Sequence, residues 1–135
     1  MKPYIILNKR TLLLLIIVIA VTLLVFSRVV YLAAKRIDGS TNSKREAFLL
    51  SVGVTDLNGI CKKKEIVIPK EFPAVYKEYN RLQKEAGFDL KRYEGKEATL
   101  YTYFTESGNE INLIVHKGQI IGGDIVSSYE VLPLK

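Results

Sequence analysis

The sequence predicts an α+β protein: an N-terminal transmembrane helix, then a small domain of order helix, strand, helix, three antiparallel strands. Three observations predict it. Residues 12–26 form an unbroken apolar run without charge, two later segments repeat apolar residues every three or four positions, and residues 97–127 alternate with period two across two turns. The implied division is a stub and anchor at residues 1–36, a linker at 37–42 and a folded domain at 43–135.

With Thr11 and Ser27 the uncharged stretch is 17 residues, enough for about 25 Å of helix against a hydrocarbon core of about 30 Å. Continuing through Val29, Val30, Tyr31, Leu32, Ala33 and Ala34 supplies the missing length, with Arg28 snorkelling toward the headgroups. Residues 11–34 are thus the expected contact with the lipid bilayer, with Tyr4 and Tyr31 near its two interfaces. A cleaved signal peptide fits poorly, because Tyr31, Leu32 and Arg28 occupy the approach to Ala33 and Ala34, where small residues are needed. A domain of about 100 residues also cannot envelop a helix that is apolar on every side. The segment therefore reads as a single-pass signal anchor.

Lys2, Lys9 and Arg10 before the run match Arg28, Lys35 and Arg36 after it, so the positive-inside rule decides little. The α-amino group tips the count toward an N-terminus inside the cell and a domain outside. The formal charge of +6 lies entirely in this region: residues 1–36 carry six Lys and Arg and no acid, whereas residues 37–135 carry fourteen of each sign. A neutral domain lacks the cationic excess that drives phosphate-backbone binding, so a nucleic-acid partner is excluded as an expectation. Lys62, Lys63 and Lys64, followed by Glu65, read as a solvated strand entrance.

In the linker, Asp38, Gly39, Ser40, Thr41 and Asn42 are loop formers. Ser43 and Glu46 have capping-box spacing; Phe48, Leu49 and Val52 then recur helically, and Gly53 is placed as a stop. After the turn formers Asp56, Asn58 and Gly59, residues 65–68 are short, β-branched and closed by Pro69, as in a strand. A second helix is expected over residues 70–86. Its stripe is Phe72, Val75, Tyr76, Tyr79, Leu82 and Ala86, Pro73 falls in its first turn and Gly87 ends it. Asp89 caps a single turn closed by Gly95. Strands at 97–105, 111–116 and 119–127 are joined by Ser107, Gly108 and Asn109 and by Lys117 and Gly118. An antiparallel sheet carrying both helices on one face is the simplest assembly.

Cys61 is the sole cysteine, so no intramolecular disulfide forms; three adjacent lysines favour its thiolate, but an incidental loop thiol is the default. His116 is the sole histidine, which rules out a multi-histidine metal site and leaves a strand-end polar residue. No cofactor is expected. Gly122 and Gly123 would let backbone approach a ligand, with Asp124 beside them, although close packing is the commoner cause of strand glycines. Tyr101 and Tyr103 share one strand face, where they either pack against a helix or present rings to a sugar or peptide. Tyr101, Tyr103, Gly122, Gly123 and Asp124 are therefore the candidate ligand or partner contacts. Asp124 is the carboxylate to test first.

The segments IPKEF, VY, YN.LQ, GFDL..Y.GK and YTY between Ile68 and Tyr103, followed by KG..IGGD at residues 117–124, resemble a domain-of-unknown-function family of small, singly anchored bacterial proteins, mostly Gram-positive. The resemblance covers roughly residues 44–127. It implies an anchored domain of the same element order outside the cytoplasm, and brings no activity, ligand or catalytic residue. Pro73 stands where the family pattern has an acidic or polar residue, Val54 where it has an aromatic, and residues 127–135 diverge.

The function expected from the sequence is a membrane-tethered, non-enzymatic interaction or sensory module of the bacterial cell envelope, meeting an envelope or membrane protein. The alternative is an envelope hydrolase using Asp124 and Glu71 as acid and base.

Overall fold

The computed structural model describes residues 8–34 and 36–134, with the side chains of residues 32–34 excepted. It divides into two compact units, Met1–Arg36 and Ile37–Lys135. In the first, helix α1 (Lys9–Ala34) runs through the apolar segment. Its 23 residues Lys9–Tyr31 contain an 18-residue stretch with a mean hydropathy of 2.9 and reach about 35 Å at 1.5 Å per residue, long enough to cross a bilayer. The interior hydroxyls are satisfied within the helix: Thr22 donates to the carbonyls of Val18 and Ile19 at 2.9 and 2.8 Å, and Ser27 to that of Leu24 at 2.9 Å. An apolar solvent requires this. Lys2, Tyr4 and Lys35, which enter the flanking-charge and interface arguments, lie outside the described residues.

The second unit is a six-stranded antiparallel sheet with one helix on each face. Strand β1 (Ile37–Asp38) leads into helix α2 (Asn42–Ser51), strand β2 (Leu57–Val67), helix α3 (Ala74–Glu85) and a 3-10 turn at Leu90–Tyr93. Strands β3 (Glu97–Thr105), β4 (Glu110–His116), β5 (Gln119–Val126) and β6 (Val131–Pro133) complete it. The spatial order is β1-β5-β4-β3-β2, with β6 also on β5.

Most of the expected helix–strand order is observed, and the differences have physical reasons. Residues 37–38 are not a free linker: Ile37 and Asp38 pair with Ile120 and Gln119, and the Gly39 N–H donates to the Gly118 carbonyl at 2.9 Å. Two loop-flanked residues carry no periodicity from which pairing can be read. Helix α2 is capped by Thr41, whose hydroxyl accepts from the Lys44 N–H at 3.3 Å, not by Ser43. Strand β2 begins at Leu57. Asn58 and Gly59 do make a turn, with Gly59 at φ +80°, but it is a bulge within the strand. Cys61 is therefore an exposed strand residue and not a loop thiol. Helix α3 starts at Ala74 with Pro73 as its cap, because a proline disfavours helical geometry at the residue before it. Strand β6 is a three-residue addition to β5 near the end of the described residues.

Register assigns the faces. Tyr103, Ile111 and Ile125 are cross-strand neighbours, as are Tyr101, Leu113 and Gly123. This face packs Leu49 and Phe48 of α2 and its C-cap Val52, with Val54, Phe88 and Leu134. One residue out of step, Lys62, Thr102, Asn112 and Asp124 form a row across four strands, and Lys64, Leu100, Ile114 and Gly122 form the next. Helix α3 lies against this second face, where Tyr79 reaches Asp124. The two helices thus occupy opposite faces rather than one, because the β strands bury apolar residues of both parities. An extra residue in β5, Ile121, between the partners of Ile114 and Val115, puts Ile121 on the same side as Gly122 and returns Ile120 to the opposite core.

Candidate functional site

Helix α3 covers the β5–β6 side of its face, and an open groove remains between the helix and strand β2. Ile66, Leu100 and Ile114 supply its sheet floor, and Phe72, Tyr76 and Tyr79 its helical wall; the cavity is about 450 Å³. Tyr76 and Tyr79, three residues apart on α3, share one side of the helix, and Phe72 joins them from the segment just before Pro73. Phe72 and Tyr76 meet edge to face at 5.9 Å.

Beside the apolar floor lies the polar row. The Thr102 hydroxyl donates to Asn112 Oδ1 at 2.8 Å, and Asn112 Nδ2 donates to Asp124 Oδ1 at 2.9 Å. The Tyr79 hydroxyl donates to Asp124 Oδ2 from the helix side. Asp124 lines the groove although only 3% of its surface is exposed, and it has no ion-pair partner among the described residues. Burial raises its carboxyl above the ordinary value, against the two hydrogen bonds that stabilise the anion. Tyr79 is pushed upward by burial and then by the charge of Asp124.

The five residues singled out from the sequence divide between the faces. Asp124 and Gly122 lie on the groove face, while Tyr101, Tyr103 and Gly123 lie toward α2. Tyr103 is 2% exposed; its hydroxyl donates to Asn42 Oδ1 and accepts from Arg45 Nε, both at 2.8 Å. Tyr101 sits under the Arg45 guanidinium, 3.6 Å from its ring centroid. Both rings are thus held against helix α2. A Cβ on Gly122 would stand 2.9 Å from Gln83 Oε1 and 3.0 Å from Leu90, and one on Gly123 would stand 2.9 Å from the Asn112 carbonyl and from Leu134. What these glycines let close is the protein's own interior. Gln83 Oε1 accepts from the Gly123 N–H at 2.8 Å, at the β5 edge between β1 and β6.

Sequence reasoning missed Arg45, which is 6% exposed with no carboxylate against it among the described residues. Its charge is met by the Gly39 carbonyl at 2.8 Å, by Tyr103 and by the Tyr101 ring. Helical spacing from Leu49 was the available signal. Tyr79 and Asn112 were visible only as stripe and strand residues. His116 Nδ1 lies 2.6 Å from the Glu97 carbonyl and its ring meets Tyr93 edge to face, at a strand end. Among the described residues no group of three or more His, Cys, Asp or Glu is arranged to hold a metal ion. Glu71 is exposed and does not line the groove.

These features describe a small α+β domain, with a buried carboxylate in an aromatic-walled groove, on a chain whose N-terminal helix is long enough to span a membrane. No protein-family model, curated protein or solved structure matches the chain.

Proposed function

We propose that this chain is a membrane-tethered, non-enzymatic binding module of the bacterial cell envelope, with its N-terminus inside and its folded domain outside, and that the α3–β2 groove is its contact site. The observation that carries the reading is the groove itself: an open, mainly apolar cavity of about 450 Å³ with the buried Asn112–Asp124 pair beside its floor, in the size range of ligand sites. The apolar helix supports the tether, and the resemblance to singly anchored bacterial proteins supports the envelope.

Two measurements test it. Cys61 is exposed and is the sole cysteine, so an impermeant thiol reagent applied to intact cells should label it. Labelling only after lysis would place the domain inside. A photo-crosslinking residue at Tyr76, 42% exposed on the groove wall, should capture one recurrent envelope or membrane component in native membranes. The same probe at Tyr129, 97% exposed and not part of the groove, should not. Equal capture from both positions, or none from Tyr76, would remove the groove as a contact site.

The hydrolase reading has one observation in its favour: a buried carboxyl whose proton is held above the ordinary range suits a general acid. It also needs a second carboxylate within about 10 Å. Among the described residues lining the groove, Glu65 is the other carboxylate, and Thr99 at 3.0 Å and Lys63 at 3.2 Å hold it on the opposite sheet face. The arrangement supports binding over paired-carboxylate chemistry.

A further inference from the structure

Resting on the reading of the α3–β2 groove as a binding site, we propose that its ligand is a small organic ammonium: a protonated amine on a short apolar body, its nitrogen on Asp124 and its carbons on the aromatic wall. Asp124 is 3% exposed, lines the cavity and lacks a cation among the described residues. A buried carboxylate without a counter-charge is costly, and a ligand that brings one recovers that cost on binding.

Lys64, on the groove rim, does not supply the counter-charge. The register Lys64–Leu100–Ile114–Gly122 puts three strand spacings between its backbone and β5, about 14 Å at about 4.8 Å each. Lys62 heads the row that ends in Asp124 at the same remove, and its ammonium lies 4.7 Å from the Phe104 ring centroid.

Hydrogen-bonding capacity points the same way. Tyr79 and Asn112 each donate once to the carboxylate, which has about four lone-pair sites, so about two remain for a donor from the groove. An anionic ligand would meet repulsion there, and a neutral apolar one would leave the charge unmet. The aromatic wall fits the same occupant: Phe72, Tyr76 and Tyr79 line the cavity, and ring faces attract organic cations. Leu100 and Ile114 meet the apolar body.

The test uses the full chain in lipid nanodiscs, titrated with n-butylammonium chloride and with n-butanol as its neutral counterpart, and followed by the amide resonances of Asn112, Ile114 and Asp124. Saturable shifts are expected, with n-butylammonium binding at least about tenfold tighter than n-butanol, since a charge-assisted contact replaces a neutral one. Asp124→Asn should abolish that preference while keeping the n-butanol response. Equal affinities for the two probes, a preference unchanged in Asp124→Asn, or no saturable shift would overturn the proposal. If Asp124→Asn does not fold, Tyr76→Ala at the exposed rim should weaken n-butylammonium about threefold, as loss of one ring face implies; unchanged affinity would overturn it.

Nanodisc composition separates two sources of the ammonium. A lipid amine headgroup as the native occupant would compete, so n-butylammonium would bind more weakly in mixed phosphatidylethanolamine–phosphatidylglycerol discs than in discs where a neutral glycolipid replaces the phosphatidylethanolamine at the same surface charge. A free amine would give equal affinity in both, and either pattern supports ammonium recognition. Failure here with specific capture from Tyr76 would discard the ammonium and keep the groove; failure of both would discard the groove.

Discussion

Two buried charges of opposite sign sit on opposite faces of one sheet, and their environments differ in kind. Arg45 is surrounded by neutral acceptors and a ring face, all supplied by the fold. Replacing Tyr103 by Phe removes an acceptor from a buried guanidinium and should destabilise the domain by about 1–3 kcal/mol, measured by denaturant titration. Asp124 is instead held by two donors and no cation. Its folded carboxyl retains a proton more tightly than the unfolded chain does. Stability from this group is therefore full below the ordinary value of 3.8 and is lost as pH rises through the higher folded value. The difference in melting temperature between wild type and Asp124→Asn should change in that direction from about pH 4 upward; a pH-independent difference would show that Asp124 does not titrate in this way. The exposed carboxylates Asp38 and Asp56 shift the other way, held down mainly by the Lys44 and Ser107 hydrogen bonds, and cancel in the comparison.

Among the elements, strand β5 is the most constrained. It carries pairing on both edges, the bulge that sets Ile121 beside Gly122 on one side, and two glycines under contact from both sides. Gly123→Ala should cost more than Gly122→Ala, because its Cβ would meet the Asn112 backbone carbonyl, which cannot move aside, whereas that of Gly122 meets side-chain ends. Losses of about 1–3 kcal/mol are expected, with Gly123→Ala at the upper end. In the β4–β5 turn, Lys117 has φ 47° and Gly118 φ 76°. Lys117→Gly should be neutral or stabilising by up to about 1 kcal/mol, since glycine adopts this conformation without strain. The strands and hairpins at 97–126 were legible because alternation and turn chemistry are local. Strands β1 and β6 were not, since each is two or three residues long and is a strand only by virtue of a distant partner. The face of each helix was equally illegible: an amphipathic stripe says that a helix packs, and nothing about which side of a two-faced sheet receives it.

At the scale of the molecule, the unit holding the apolar N-terminal helix and the folded domain are separate compact units. Residues 37–135 expressed alone should fold with the amide spectrum of the domain in the full chain and should leave the membrane fraction. A disordered spectrum would show that the domain depends on α1. Because those residues carry equal numbers of acids and bases, the fragment should also show little salt dependence of stability.

The candidate site was legible at one position. Asp124 stood out because it follows two glycines in a strand, and the structure places it in the groove; Tyr101 and Tyr103, equally visible, face the other way to hold Arg45. By itself the sequence determined the membrane-length apolar helix, the charge confined to its flanks and the order of most helices and strands, because composition, periodicity and turn residues act over short distances. Tertiary structure alone decided which face each helix covers and which strands close the sheet edge. It also decided that Tyr79, Asn112 and Asp124 meet in a groove, because strand register fixes which side chains share a face, and register is set between segments far apart in the chain.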